Sequence, residues 1–290
     1  YVDANKGYLV KINQAAGTTP DAILTGNYDK PFIEATGGTI TESGDYKIHT
    51  FTGDGNFIVT SAGSGNTTSP SIIDYLVVAG GGSGGSNPGN ASGGGGAGGF
   101  RESLASCSPT HTPSGHTASP LKATTGITIT ATTFPITVGG GGAPVCSGTP
   151  GVNGNDGSNS VFSTITSAGG GFGGTGYGAG VSGANGGSGG GAGGGSRERA
   201  GGSGNTPPVS PPQGNNGGAS TPPSIPTDNQ GGGGGGATEV GTTAGPANGP
   251  GGDGATTHIT GSPVVYAGGG GSAGSGPAPS GGDGGSGGGG

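Results

Sequence analysis

The chain shows alternation that ends abruptly in glycine. Tyr46, Ile48 and Thr50 fall on one face of a short strand, and Phe57 and Val59 share a face of the next. Ser43–Gly44–Asp45 and Gly53–Asp54–Gly55 separate these runs, and the Asp-Gly step in the second predicts a hairpin. Ile72–Ala79 is almost unbroken apolar sequence, as a buried strand requires. Together these segments predict a small antiparallel β unit over residues 35–79, with residues 1–34 as a connector. After Ala79 the run passes straight into glycine. The same junction recurs where Ser160–Ala168 meets Gly169–Gly171 and where Pro263–Ala267 meets Gly268–Gly271; Ile136–Val138 before Gly139–Gly142 is similar. This is a loose internal repeat, too irregular for a solenoid of fixed period. No segment carries a helical period.

Composition turns these junctions into the central problem. Glycine supplies 82 of the 290 residues, with only 10 of them in 1–79 and the other 72 in 80–290. Ordering glycine costs more backbone entropy than ordering any other residue. Apolar residues make up 26% of the chain, well short of what a conventional core of this length uses. Collagen is excluded, because runs such as Gly93–Gly96 and Gly231–Gly236 break any strict three-residue repeat. A flexible linker does not interleave with strands over 200 residues or so. A bundle of polyglycine II helices remains. Such a helix has three residues per turn and no internal hydrogen bonds, so its N–H and C=O groups must be met by neighbouring rods. The predicted architecture is therefore mainly β and irregular. A small β unit precedes a polyglycine II sandwich over 80–290 with long interleaved loops and essentially no α-helix.

Charge narrows the function classes. The formal net charge is -7, and the eight Lys and Arg are scattered, which argues against a nucleic-acid partner. No run approaches the ~20 apolar residues of a membrane span. Cys107 and Cys146 stand alone, either as a disulfide or as two free thiols, and their spacing does not suggest zinc. The chain holds no Met, so it is read as processed or as part of something longer. Nothing points to catalysis or to a cofactor. Asp253 and His258 lie close in sequence, but no nucleophile motif or metal spacing accompanies them.

The ordered succession of non-glycine motifs is more informative. Gly37–Thr60 (GGTITESGDYKIHTFTGDGNFIVT), Asp74–Gly82 (DYLVVAGGG), Gly93–Arg101 (GGGGAGGFR), Ile136–Gly142 and Ser160–Gly171 follow one another. This succession resembles the glycine-rich domain of bacteriophage tail-fibre and tail-tip adhesin proteins. The resemblance implies rods whose distal loops touch a host receptor, here a bacterial surface glycan or outer-membrane protein. It implies an extracellular place on the virion tail fibre, beside another tail-fibre protein. The loops here are long and rich in Pro, so a monomeric tip and a homotrimeric fibre end both remain open.

The candidate contact segments are 100–135, 143–159, 196–230 and 255–262. Aromatic and guanidinium groups anchor recognition most often. This selects His111, His116, Arg197 and Arg199, with Tyr177 and Tyr266 beside them on glycine-rich segments. Each has the plainer reading of a solvated loop residue or a ring packed on a rod. Two other functions compete. One is a self-assembling extracellular filament or fibre shaft. The other is ice binding, which needs tight turns and one flat face, and these long loops argue against it.

Overall fold

Strands form where the alternation predicts them, and they meet in an order that the sequence does not announce. The computed structural model describes residues 2–3, 7–8, 32–43, 46–63, 71–87, 89–103, 119–145, 151–221, 230–245, 247–274 and 281–290. Among these there is no helix; the fold is mainly β and irregular. The largest sheet is antiparallel and runs Ile165–Ser167, Ser160–Phe162, Thr133–Thr137, Gly55–Ala62, Ile33–Thr36. A second sheet sets Phe100–Ser103 between Tyr75–Val78 and Lys122–Ala123.

Phe57 and Val59 both turn inward, as their shared face requires, and pack with Tyr75, Val77, Ile129 and Phe162. Phe57 meets Phe162 edge to face with ring centroids 6.0 Å apart, the arrangement that the ring quadrupoles favour. The hairpin expected at Asp54–Gly55 does not form. Thr39–Ser43 pairs with Tyr46–Thr50 as a separate ribbon, while Gly55–Ala62 pairs with Ile33–Thr36 and Thr133–Thr137. Asp54 is engaged elsewhere, its carboxylate accepting the Val138 amide at 2.8 Å.

The glycine-rich segments are extended rods bonded sideways. In the rod 187–195, seven consecutive amides donate to three neighbours in rotation. Ser188, Gly191 and Gly194 donate to Ala97, Gly94 and Ala91; Gly189 and Ala192 donate to Asn215 and Gly218; Gly190 and Gly193 donate to Ala184 and Val181. Its carbonyls accept in the same rhythm from Gly171 and Gly174, from Gly235 and Gly232, and from Gly202. Six rods thus surround one. The rod 230–237 is enclosed in the same way, giving amides to 187–195, 239–244 and 267–274 and receiving them from 91–99, 213–221 and 248–254. A three-residue rotation is what a threefold helix without internal hydrogen bonds presents to its surroundings.

Glycine is needed here for close approach. A Cβ on Gly191 would overlap the carbonyl oxygen of Gly232, and one on Gly190 that of Phe172. By contrast, a Cβ on Gly140 would meet nothing within 4 Å.

Where the stack runs out of rods, side chains take over. The outward amides of 168–176 recur every third residue, at Gly169, Phe172 and Thr175. They donate to the side-chain oxygens of Asn159, Asp156 and Asn153 at 2.9, 2.9 and 3.0 Å. These acceptors also recur every third residue, with Gly154 and Gly157 packed inward between them. Asn185, Asn216 and Asp253 do the same for Ser203, Gly204 and Ser286. Residues 152–159, expected to be loop, are therefore a rod with its own caps.

Two outcomes test this arrangement. Gly191→Ala should destabilise the protein by at least the ~1–3 kcal/mol of an over-packed core, while Gly140→Ala should be neutral or slightly stabilising, read by urea denaturation. Asp156→Ala should speed hydrogen exchange at the Phe172 amide and cost about 1 kcal/mol; Asp156→Asn keeps the acceptor and should do neither.

Candidate functional site

Successive rods alternate in direction or cross over, so their turns gather at two ends. The lateral bonds define the ends. Ala79 bonds Gly99, Gly99 bonds Ala168, Phe100 bonds Gln213 and Ala237 bonds Ala267, so these residues share the end that carries the strands. The three strand-to-glycine junctions at Ala79, Ala168 and Ala267 all lie at this sheet end. Far from it, Ser86 pairs with Val152 and Thr221 with Gln230, and Gly194 bonds Ala91.

The far end brings Tyr177 together with the charged segment around Arg199. The turn over 175–180 is held by Thr175, whose hydroxyl accepts the Tyr177 amide, and by the Gly180 amide donating to the Tyr177 carbonyl. The Arg199 guanidinium Nε donates to the Ala179 carbonyl at 3.2 Å, and the Ser196 amide donates to Gly178. Arg199 is in turn fixed by Ser220, which accepts its amide and donates to its carbonyl. Tyr177 is left 63% exposed, and Arg197 and Glu198 are exposed beside it. The site thus presents an exposed aromatic ring and the exposed Arg197 beside a second guanidinium, that of Arg199, which is anchored to backbone.

Tyr266 does not belong to this cluster. It ends the strand Val264–Tyr266 at the sheet end and is half-buried against Ala255. His111, His116, Cys107 and Cys146 lie outside the described residues. Among the described residues, no group of three or more His, Cys, Asp or Glu is placed to hold a metal ion.

The sheet end holds two buried polar groups that the sequence reading missed. Gln213 is fully buried. Its side-chain oxygen accepts the Ala168 amide at 2.8 Å and its nitrogen donates to the Pro207 carbonyl at 2.9 Å. It pins the proline-rich loop to the start of a rod. Glu102 is 1% exposed and accepts a hydrogen bond from the Thr257 hydroxyl. Burial raises the Glu102 carboxyl above its ordinary range; the Thr257 bond opposes this, Asp74 adds to it, and Lys122 opposes it. Burial likewise raises the Tyr75 hydroxyl, against the pull of Arg101. An isolated acidic residue in a strand gives no sequence signal of burial, so Glu102 was not legible.

A family model described as a glycine-rich domain matches residues 52–290. The chain belongs to the glycine-rich domain family. No curated protein and no solved structure matches it. The glycine-rich domain thus takes in both the rods and most of the strands, including Gly55–Ala62, in agreement with the shared sheet.

Glu102 supplies a pH test of this sheet end. A carboxyl whose folded pKa is raised holds its proton more tightly in the folded state. Its effect favours folding at acid pH and is lost as pH rises through the raised value. Glu102→Gln keeps an acceptor for Thr257 without the charge. Its melting temperature should match the parent at about pH 4 and exceed it increasingly towards about pH 7. A constant difference across that range would contradict the assignment.

Proposed function

We propose that this protein is the receptor-binding part of a bacteriophage tail-fibre tip, attaching to a bacterial surface glycan or protein through its far-end turns on a polyglycine II scaffold. The observation that carries the reading is the chemical difference between the two ends. One end carries the paired strands together with the proline-rich loop that Gln213 holds, while the far end exposes Tyr177 beside the segment of Arg197 and Arg199. Recognition groups sit best on short turns held by a rigid frame, because the frame limits the entropy lost on binding. An exposed tyrosine beside guanidinium groups suits a sugar ring or a polar protein loop, since both offer apolar faces and hydrogen-bond acceptors. The resemblance of the strand and glycine motifs to tail-tip adhesins supports the same reading.

The test is binding of purified protein to a panel of bacterial strains. Tyr177→Ala with Arg197→Ala should reduce strain-selective binding about tenfold or more, since interface anchors of this kind contribute above 1 kcal/mol each. Val240→Ser, an exposed change near the sheet end, should leave binding intact. Binding to no strain, together with filaments seen by electron microscopy, would replace this reading with the filament one.

A further inference from the structure

Among the described residues, one central rod lacks a neighbour on one side. The rod 91–99 has neighbours on five sides, bonded through its amides to 168–176 and 230–237 and through its carbonyls to 79–86, 187–195 and 267–274. On the sixth side, between 79–86 and 267–274, lies a groove of 510 Å³. It is lined mostly by glycines of 81–84, 95–98, 268–271 and 287–290, with Val78 and Tyr266 towards the sheet end.

The groove is lined by unmet main-chain groups at the spacing of the rods. The amides of Gly95 and Gly98 are buried and, among the described residues, donate to nothing. Ser92 falls in the same three-residue row; it is 1% exposed and its hydroxyl has no partner among the described residues. Facing rods add carbonyls at the same interval, Ala79 and Gly82 on one side and Gly268 and Gly271 on the other, and none accepts an N–H from a described residue. The outward amide row of 168–176, by comparison, is capped by Asn and Asp side chains. Among the described residues, no such side chain reaches this row. Gly81 and Gly84, also three apart, differ from the packed glycines, because a Cβ on either would come no closer than 3.4 Å to another rod.

We propose that this groove is the docking position for one extended, glycine-rich segment of a partner polypeptide, which completes the sixth side of rod 91–99. Only a threefold backbone returns a donor and an acceptor to the same wall every third residue. Main-chain pairing of this kind is how a peptide adds to an open sheet edge, with six or seven residues spanning ~19 Å at the rise of such a rod. The occupant is a partner rather than a second copy, since the described rods of this chain are already bonded into their own stack. The proposal does not depend on the receptor-binding reading.

The probe is a synthetic peptide of three Gly-Gly-Ser repeats, added at millimolar concentration to the isotope-labelled full chain. Amide shifts should concentrate on Gly95, Gly98 and the facing glycines, and exchange at Gly95 and Gly98 should slow at least tenfold. Gly81→Leu with Gly84→Leu should fold with unchanged stability and abolish both effects. Three results would overturn the proposal. One is the absence of shifts. Another is that Gly95 and Gly98 are already protected before peptide is added. The third is concentration-dependent self-association that the double substitution removes, which would make a second copy the occupant.

Discussion

A rod whose hydrogen bonds all run sideways cannot satisfy its own backbone. Every amide and carbonyl points sideways, and each must be met by another chain segment, a side chain or water, because an unmet buried amide costs about 1–3 kcal/mol. The rest of the structure follows from this constraint. It sets the number of neighbours around 187–195 and 230–237, the glycine wherever a Cβ would meet a neighbouring carbonyl, and the capping role of Asn153, Asp156 and Asn159. It also explains how a chain with so few apolar residues orders itself. Hydrophobic burial of large side chains is concentrated at the strands, around Phe57, Tyr75 and Phe162 and around Phe100, and the rods are held by hydrogen bonds that contribute about 1 kcal/mol each.

The two kinds of order meet at the sheet end. Each strand-to-rod junction changes the bonding partner from one in-plane neighbour on either side to several around the axis. Ala79 and Ala168 mark this change with small buried side chains. Gln213 spans it, using its side chain to satisfy the first amide of a rod. Glu102 is the exception, with one carboxylate oxygen lacking a partner in the described structure, and the rise in its pKa follows from that burial.

Much of this was legible in the sequence, and the failures have physical causes. The strand-to-glycine junctions, the inward face of Phe57 and Val59 and the lack of helix among the described residues all follow from local periodicity. Residues 152–159 misled because Asn and Asp beside glycine normally signal turns; here the same side-chain oxygens cap a neighbouring rod. The hairpin at Asp54–Gly55 gives way because Gly55–Ala62 pairs with Ile33–Thr36 and with Thr133–Thr137, the latter remote in sequence. Tyr177 and Arg199 were each singled out, but their meeting at one end depends on the course of the rods between them. The same geometry sends Tyr266 to the opposite end.

The lateral direction of the rod hydrogen bonds has a mechanical consequence. A pull applied between the far end and the sheet end runs along the rod axes and across the bonds. No single bond then opens first, as it would when a hairpin is unzipped; many bonds on several sides must shear together. A molecule built this way is stiff under tension along its length while its ends stay free to vary.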